Sequence, residues 1–348
     1  MTQAISKLTI KGYKSIRSLE NFELRNLNIL IGPNGSGKSN FVSFFQLLNE
    51  IYKEEGGLDD YVKRIGGADK LFFLGVKITH VIEVDLEVSD TIEGFRLIAT
   101  SDNKLNYHHL SITDSDTPRY EQFKKNFDLS KQLLKGCRLY HFHDTSDFAA
   151  TKRPCSKRDY EYLRSDAGNL AAYLLFLRKK HEKEYQYIRE VIQLAAPFFD
   201  DFLLRDSLDN PDETLLEWRQ KGSDYPFHPS QISDGTLRFI CLATALLQPD
   251  PPSTILLDEP ELGLHPYALG LLAGLIQKAS IRTQVIVATQ SASLINHFDP
   301  QDIIVVEREN GESVFRRLPL EKLKLWLDDY SLGELWEMNL LEGRPKNE

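Results

Sequence analysis

The chain has 348 residues, 41% hydrophobic and 27% charged, a balance suited to a globular protein with a core of its own. Its net charge of −9 excludes a surface that is basic throughout, the usual footprint of a general nucleic-acid binder. Three irregularly spaced cysteines, Cys137, Cys155 and Cys241, suggest neither a disulfide framework nor a zinc motif. With no signal-peptide core and no apolar run near the ~20 residues that span a bilayer, a cytoplasmic protein without membrane attachment is expected.

In chain order, "KLTIKGYKSI" and "NLNILIG" read as two early strands, the second feeding a glycine-rich loop. "SNFVSFFQLLNEIYKE" has helical spacing, with Phe41, Phe44, Phe45 and Leu48 near one face. "HVIEVDLEV" alternates, Ile82, Val84, Leu86 and Val88 against Glu83, Asp85 and Glu87, as in a half-buried strand of an antiparallel sheet. "GFRLIAT" and "LNYHHLSI" are expected to continue that sheet. From Ser115 to Arg164 the pattern is irregular and locally basic, as in "TKRPCSKRDY". "GNLAAYLLFLRKKHEKEYQYIREVIQLAAPFF" reads as one or two helices ended by Pro197. Then "TILLDE", "QVIVAT" and "DIIVVE" alternate with helices as buried parallel strands, and Pro266 takes a favoured first helical position. The expected fold is α/β, one core split by an insertion. Residues 1–100 and 213–348 are its two parts, and 101–212 a mostly helical inserted lobe.

The chemistry begins at "GPNGSGKSN", which matches G-x-x-x-x-G-K-[ST] through Gly32, Gly37, Lys38 and Ser39, after an apolar strand and before a helix. Glycines let backbone wrap phosphate oxygens, Lys38 reaches the β- and γ-phosphates, and the Ser39 hydroxyl suits Mg²⁺. The expected ATP-binding set is Asn34, Gly35, Ser36, Gly37, Lys38, Ser39 and Asn40. "TILLDEPELGLHP" ends a buried strand in two carboxylates. Asp258 suits Mg²⁺, and Glu259 suits orienting or deprotonating the attacking water.

"GPNGSGKSN", "SDGTLRF", "LLDEPELGLHP" and "ATQSAS" occur in the order and spacing of the ABC-type ATPase heads. The chain resembles the branch containing SMC proteins, RecF and the OLD-family ATPases. Within it, "DEPELGLHP" and "SDGTLRF" resemble the stand-alone AAA-type ATPases of bacterial mobile and defence loci. The resemblance implies an ABC-type head with a mixed-sheet core, an N-terminal antiparallel sheet and an inserted helical lobe. It also implies a homodimer in which "SDGT" is a signature motif serving the partner's nucleotide. Ser233 is a good N-cap, and Gly235 lets a phosphate approach free N–H groups at a helix N-terminus.

Two residues depart from the family pattern. Asp234 stands where the better-known signature has glycine, and a carboxylate there repels phosphate; it either points outward or balances Arg238. Gln290 follows "VIVAT" where relatives commonly carry a switch histidine. Its amide can donate to a γ-phosphate but cannot become cationic, so hydrolysis is expected to be slow or partner-dependent. A Q-loop glutamine is not found near "GGADKLFFLG". His265 is expected to cap the next helix or cross the dimer interface. His108, His109, His141 and His143 are better read as exposed or hydrogen-bonded than as ligands.

Sustained heptads, as in SMC arms, are absent between the P-loop and the signature, and little chain follows Glu259 for a nuclease domain. The first reading is an ATP-gated dimeric switch for a separately encoded effector, such as a nuclease, in an anti-phage-like system. The second is a RecF-like DNA-repair ATPase, for which "TKRPCSKR" and "RKKHEK" would supply the basic surface. The apolar tail "SLGELWEMNLL" offers either a docking segment or a piece of core.

Overall fold

The computed structural model describes residues 5–53, 56–88, 91–109, 131–207 and 210–341. The stretch "KLTIKGYKSI" is two strands where one was expected. β1 (Ile5–Tyr13) turns at Lys14, whose φ is 47°, into β2 (Ile16–Glu23), and Tyr13 pairs with Ile16. β3 (Leu27–Ile31) is buried along its whole length, as its unbroken apolar run requires of a strand covered on both faces. The alternation in β4 (Ile82–Val88) holds: Ile82, Val84, Leu86 and Val88 are buried and Asp85 is exposed. With β5 (Thr91–Ala99) and β6 (Leu105–His109) it completes a five-stranded sheet in the order β2-β1-β4-β5-β6. Its pairings are antiparallel.

Short strands follow. β7 is Cys137–Tyr140, within the stretch expected to be irregular; β8 (Cys155–Ser156) pairs with β10 (Glu213–Thr214), and β9 (Phe199–Phe202) with β11 (Trp218–Gln220). The three expected parallel strands are β12 (Thr254–Asp258), β13 (Gln284–Thr289) and β14 (Ile303–Glu309), followed by β15 (Glu312–Arg317). They build a six-stranded sheet in the order β15-β14-β3-β13-β12-β7. β13 and β14 run parallel to β3, and β15 runs antiparallel to β14.

The helices are α1 (Lys38–Tyr52), α2 (Gly57–Ile65), α3 (Leu170–Lys180), α4 (Glu182–Ala195), α5 (Asp234–Leu247), α6 (Pro266–Ser280), α7 (Ala292–Ile295), α8 (Leu320–Leu327) and α9 (Leu332–Glu337). The long apolar run after Gly168 is two helices, broken at His181, where φ −135° and ψ 55° leave the helical region. α4 stops before Pro197, whose ring disfavours helix at the preceding residue.

The chain divides into two compact units. The first is Met1–Leu139, Pro252–Leu256 and Arg282–Glu348; the second is Tyr140–Pro251 and Leu257–Ile281. In the first, Phe41, Phe44 and Phe45 of α1 are fully buried and join one apolar cluster with Leu8, Val84 and Leu86 of the antiparallel sheet and Leu30, Ile286 and Ile304 of the mixed sheet. Each such phenylalanine contributes about 2–3 kcal/mol of gross burial energy, so α1 is fixed by its face and the loop before it is fixed in turn. In the second, α5 is buried at every position from Leu237 to Leu247, which explains its apolar composition all round. It packs against α4 and α6.

The tail resolves in favour of core packing for part of its length. Ser331 and Glu334 form a capping box that starts α9; Leu332 and Leu335 are buried, and the Gly333 N–H donates to Asn296 Oδ1 at 2.6 Å. Trp336 is half-buried, whereas Met338 and Leu340 are exposed. Among the described residues, no helix is long and apolar enough to cross a membrane.

Candidate functional site

The glycine-rich loop lies in the first unit, between β3 and α1. Gly37 is the residue before the helix, with φ 109°; a side chain there would be strained and its Cβ would clash with Ser313 Oγ. Ser313 reaches the loop from β15 and lies 2.7 Å from both the Ser36 carbonyl oxygen, which accepts its hydrogen, and Ser15 Oγ. The Asn40 amide donates to the same Ser15 Oγ at 2.7 Å. A chain of three side chains thus clamps the loop from outside. Lys38 is buried, and its amine donates to the carbonyls of Gly32 at 2.6 Å and Pro33 at 3.0 Å. Asn34, Gly35 and Ser39 are exposed. Ser36 Oγ is buried with no hydrogen-bond partner, an orphan that a phosphate oxygen would satisfy. No acidic residue occupies the first turn of α1, so the helix N-terminus keeps its positive potential.

Gln290 belongs to the same neighbourhood. The register pairs Thr289 with Ile31, so Gln290 and Gly32 leave adjacent parallel strands at the same level. The C-terminal ends of parallel strands are where α/β sheets bind ligands. The Thr289 hydroxyl accepts the Ser291 N–H at 2.9 Å, and Ser291 caps α7, which fixes the turn carrying Gln290. Beside Asn40 and Ser15 a cleft of about 600 Å³ is lined by Lys14, Lys70 and Arg308 among others. Burial lowers the pKa of the Lys14 amine, which donates to Ser43 Oγ at 2.8 Å.

Asp258 and Glu259, half-buried at the end of β12, belong to the second unit, as does the signature motif. The His143 Nε2–H donates to the Asp258 carbonyl at 3.0 Å and holds the strand end. Glu259 has φ 45°, in the left-handed region that a side chain enters at a cost of about 1–3 kcal/mol. Glu259→Gly should therefore be about 1 kcal/mol more stable than Glu259→Ala, which loses the same carboxylate but keeps a Cβ at this φ. Urea midpoints of the two variants read this; a glycine variant no more stable than the alanine variant would show that the backbone at Glu259 is not strained.

Ser233 caps α5 as expected, its Oγ accepting the Thr236 N–H at 3.2 Å. Ser233 and Asp234 are exposed, so the tip faces outward while the body of the helix is buried. Gly235 is required by packing, because a Cβ there would clash with the Gly263 carbonyl. Of the two alternatives for Asp234, its side chain is exposed, and its nearest cation is Lys152, at 3.8 Å. Arg238 is occupied otherwise. Its buried guanidinium donates to the carbonyls of Phe142 at 2.9 Å, His143 at 3.3 Å and Leu262.

The profile of the AAA_21 family, described as "AAA domain, putative AbiEii toxin, Type IV TA system", matches residues 27–296, well over half of the chain. The chain belongs to the AAA_21 family. No curated protein matches it. Among solved structures, an Smc head bound to the C-winged helix domain of ScpA is 19% identical, with TM-score 0.62, covering 92% of this chain and 98% of that one. An Smc head with an extended coiled coil bound to the C-terminal domain of ScpA, from Pyrococcus furiosus, is 18% identical, with TM-score 0.56, covering 94% and 99%. An Smc head with a coiled coil and joint, from Pyrococcus yayanosii, is 14% identical, with TM-score 0.54, covering 94% and 99%. At these identities the likeness is one of fold: this AAA_21 chain has the ABC-type head architecture of the SMC ATPases, with its antiparallel and mixed sheets.

Other residues of this AAA_21 chain fall outside the phosphate chemistry. His265 Nδ1 accepts the Tyr267 N–H at 3.2 Å and caps α6. His109 pairs with Glu93 at 2.9 Å, and the rings of His141 and His143 lie 3.8 Å apart. Among the described residues, no group of three or more His, Cys, Asp or Glu has metal-binding geometry. Burial pushes the thiols of Cys137 and Cys241 up to about 12, which makes both inert. Sequence reasoning missed Ser15 and Ser313, which meet the loop only across a long separation. It considers Arg238 and His143 but does not foresee their carbonyl partners, Phe142 and Asp258, 96 and 115 positions away.

Proposed function

We propose that the chain is an ATPase that binds ATP and Mg²⁺ at its P-loop and dimerises with a second copy around two nucleotides. In this reading the loop from Asn34 to Asn40 holds the phosphates, with Lys38 supplying charge and Ser36 its orphan hydroxyl. Ser39 and Asp258 would hold Mg²⁺, which spreads the charge that develops on the transferred phosphoryl group. Gln290 donates an amide hydrogen toward the γ-phosphate. Glu259 orients the attacking water and accepts its proton. Ser233 and Gly235 of the partner present their helix tip to the nucleotide.

The observation that carries this reading is the exposed Ser233–Asp234 tip on an otherwise buried helix. Its free N–H groups support a role toward a phosphate of a second copy. Ser233→Arg should leave nucleotide binding at the P-loop intact and stop turnover, because bulk at the tip blocks the sandwich. Mixed with Lys38→Ala, each inactive chain contributes one intact half, and part of the ATPase activity should return. Mixtures that stay inactive despite demonstrated heterodimers count against independent composite sites.

We further propose that the dimer is a cytoplasmic switch for a separately encoded effector, such as a nuclease, in an anti-phage-like system. The family description, which names a toxin of a type IV toxin–antitoxin system, favours that setting. The RecF-like alternative draws less support, since Lys152 of the basic run is buried and Lys157 is ion-paired with Asp206 at 2.6 Å. The neighbouring reading frame and a pull-down of its product test the effector.

A further inference from the structure

Asp234 places a carboxylate at the tip that the proposed sandwich would press against a phosphate. Its side chain is 65% exposed, whereas that of Lys152 is only 5% exposed, with the ammonium 3.8 Å from Asp234 Oδ1. The Lys152 amine also donates to the Thr145 carbonyl at 2.6 Å. A buried ammonium needs a counter-charge, and among the described residues Asp234 is the carboxylate within ion-pair distance. Lys152 ends a short turn, Ala150–Lys152, that packs against the turn Pro229–Gln231 leading into Ser233. The neighbouring Thr151 hydroxyl is buried without a hydrogen-bond partner. The guanidinium of Arg238, the other cation near the tip, gives its hydrogen bonds to carbonyls and acts on Asp234 through space, so Lys152 is the cation at ion-pair distance among the described residues.

We infer that Lys152 is a positioning residue of the signature tip. It neutralises Asp234 so that the tip can receive the γ-phosphate of a nucleotide held by a second copy of the chain. The inference rests on the sandwich reading above. Without Lys152, the Asp234 charge opposes the positive end of the α5 dipole and repels the incoming phosphate. With it, the pair is neutral and the N–H groups of the tip set the potential.

Sedimentation equilibrium with Mg²⁺ and a non-hydrolysable ATP analogue measures the dimer constant. Titration of a fluorescent analogue at low protein concentration measures the P-loop alone. Lys152→Met should weaken dimerisation about tenfold and leave monomer affinity unchanged, while adding Asp234→Asn should restore dimerisation to within about threefold of the wild type. Lys152→Met dimerising like the wild type, or a double variant as weak as Lys152→Met, overturns the inference; the latter marks Lys152 as packing only. Asp234→Asn alone leaves the Lys152 charge without its partner and, compared with the double variant, reads that charge at the tip even if Lys152→Met does not fold. It should dimerise about tenfold more tightly than the double variant, and equal dimers overturn the inference. A wild-type chain that fails to dimerise with the analogue instead defeats the sandwich itself.

Discussion

Lys38→Ala is expected to lower ATP affinity by at least about 100-fold, the effect of losing charge-assisted hydrogen bonds to phosphate. The fold should survive. α1 is held by Phe41, Phe44 and Phe45 in the core, and the loop is clamped by Ser313 and Asn40, none of which the substitution touches. What the folded chain loses is the pair of hydrogen bonds from the Lys38 amine to Gly32 and Pro33, each contributing about 1 kcal/mol. Isothermal titration calorimetry reads the affinity, and circular dichroism with a thermal scan reads the fold. A folded variant that binds ATP like the wild type removes the phosphate assignment of the loop.

Glu259→Gln should lower the rate of hydrolysis by about 10²–10⁴-fold, the span of a lost general base, while ATP affinity is retained. The amide keeps the size and reach of the side chain and gives up the proton acceptor. With hydrolysis stopped, ATP should hold two copies together, and light scattering should show the mass moving toward a dimer. Wild-type turnover in this variant would clear Glu259 of the base role and send the search to another group near the strand end. The Cβ and the left-handed backbone at Glu259 are kept by the substitution, so the strain there should persist, in contrast to Glu259→Gly.

Much of the frame was legible because it obeys local rules. The parallel strands around the loop are continuous apolar runs, β4 alternates, and α6 begins at Pro266 after His265. β7 escaped notice because its four residues, Cys137–Tyr140, are too short to show a period. The turn at Lys14 escaped for another reason. A lysine at φ 47° carries none of the Gly or Asn chemistry that announces a tight hairpin. In the site, the residues of the P-loop and the strand-end acids could be named from spacing alone. Their supports could not: Ser313 lies 277 positions from Ser36, and Lys152 meets Asp234 only once the intervening helices have packed. Contacts of that separation are decided by tertiary packing, which no local pattern encodes.

The contact between Gly235 and the Gly263 carbonyl bears on how two events in one chain keep step. Backbone rests on backbone there, with no side chain between to absorb a shift. Arg238 fastens the same helix to Leu262 and to the segment Phe142–His143, which itself holds the Asp258 carbonyl. Carbonyl acceptors do not titrate, and buried hydrogen bonds are little screened by salt, so this clasp should grip equally across ordinary buffers. The exposed end of α5 and the loop beyond Glu259 are therefore tied by backbone contact and by carbonyls that one guanidinium holds, so within the second unit the tip and the acidic strand end share a single clasp.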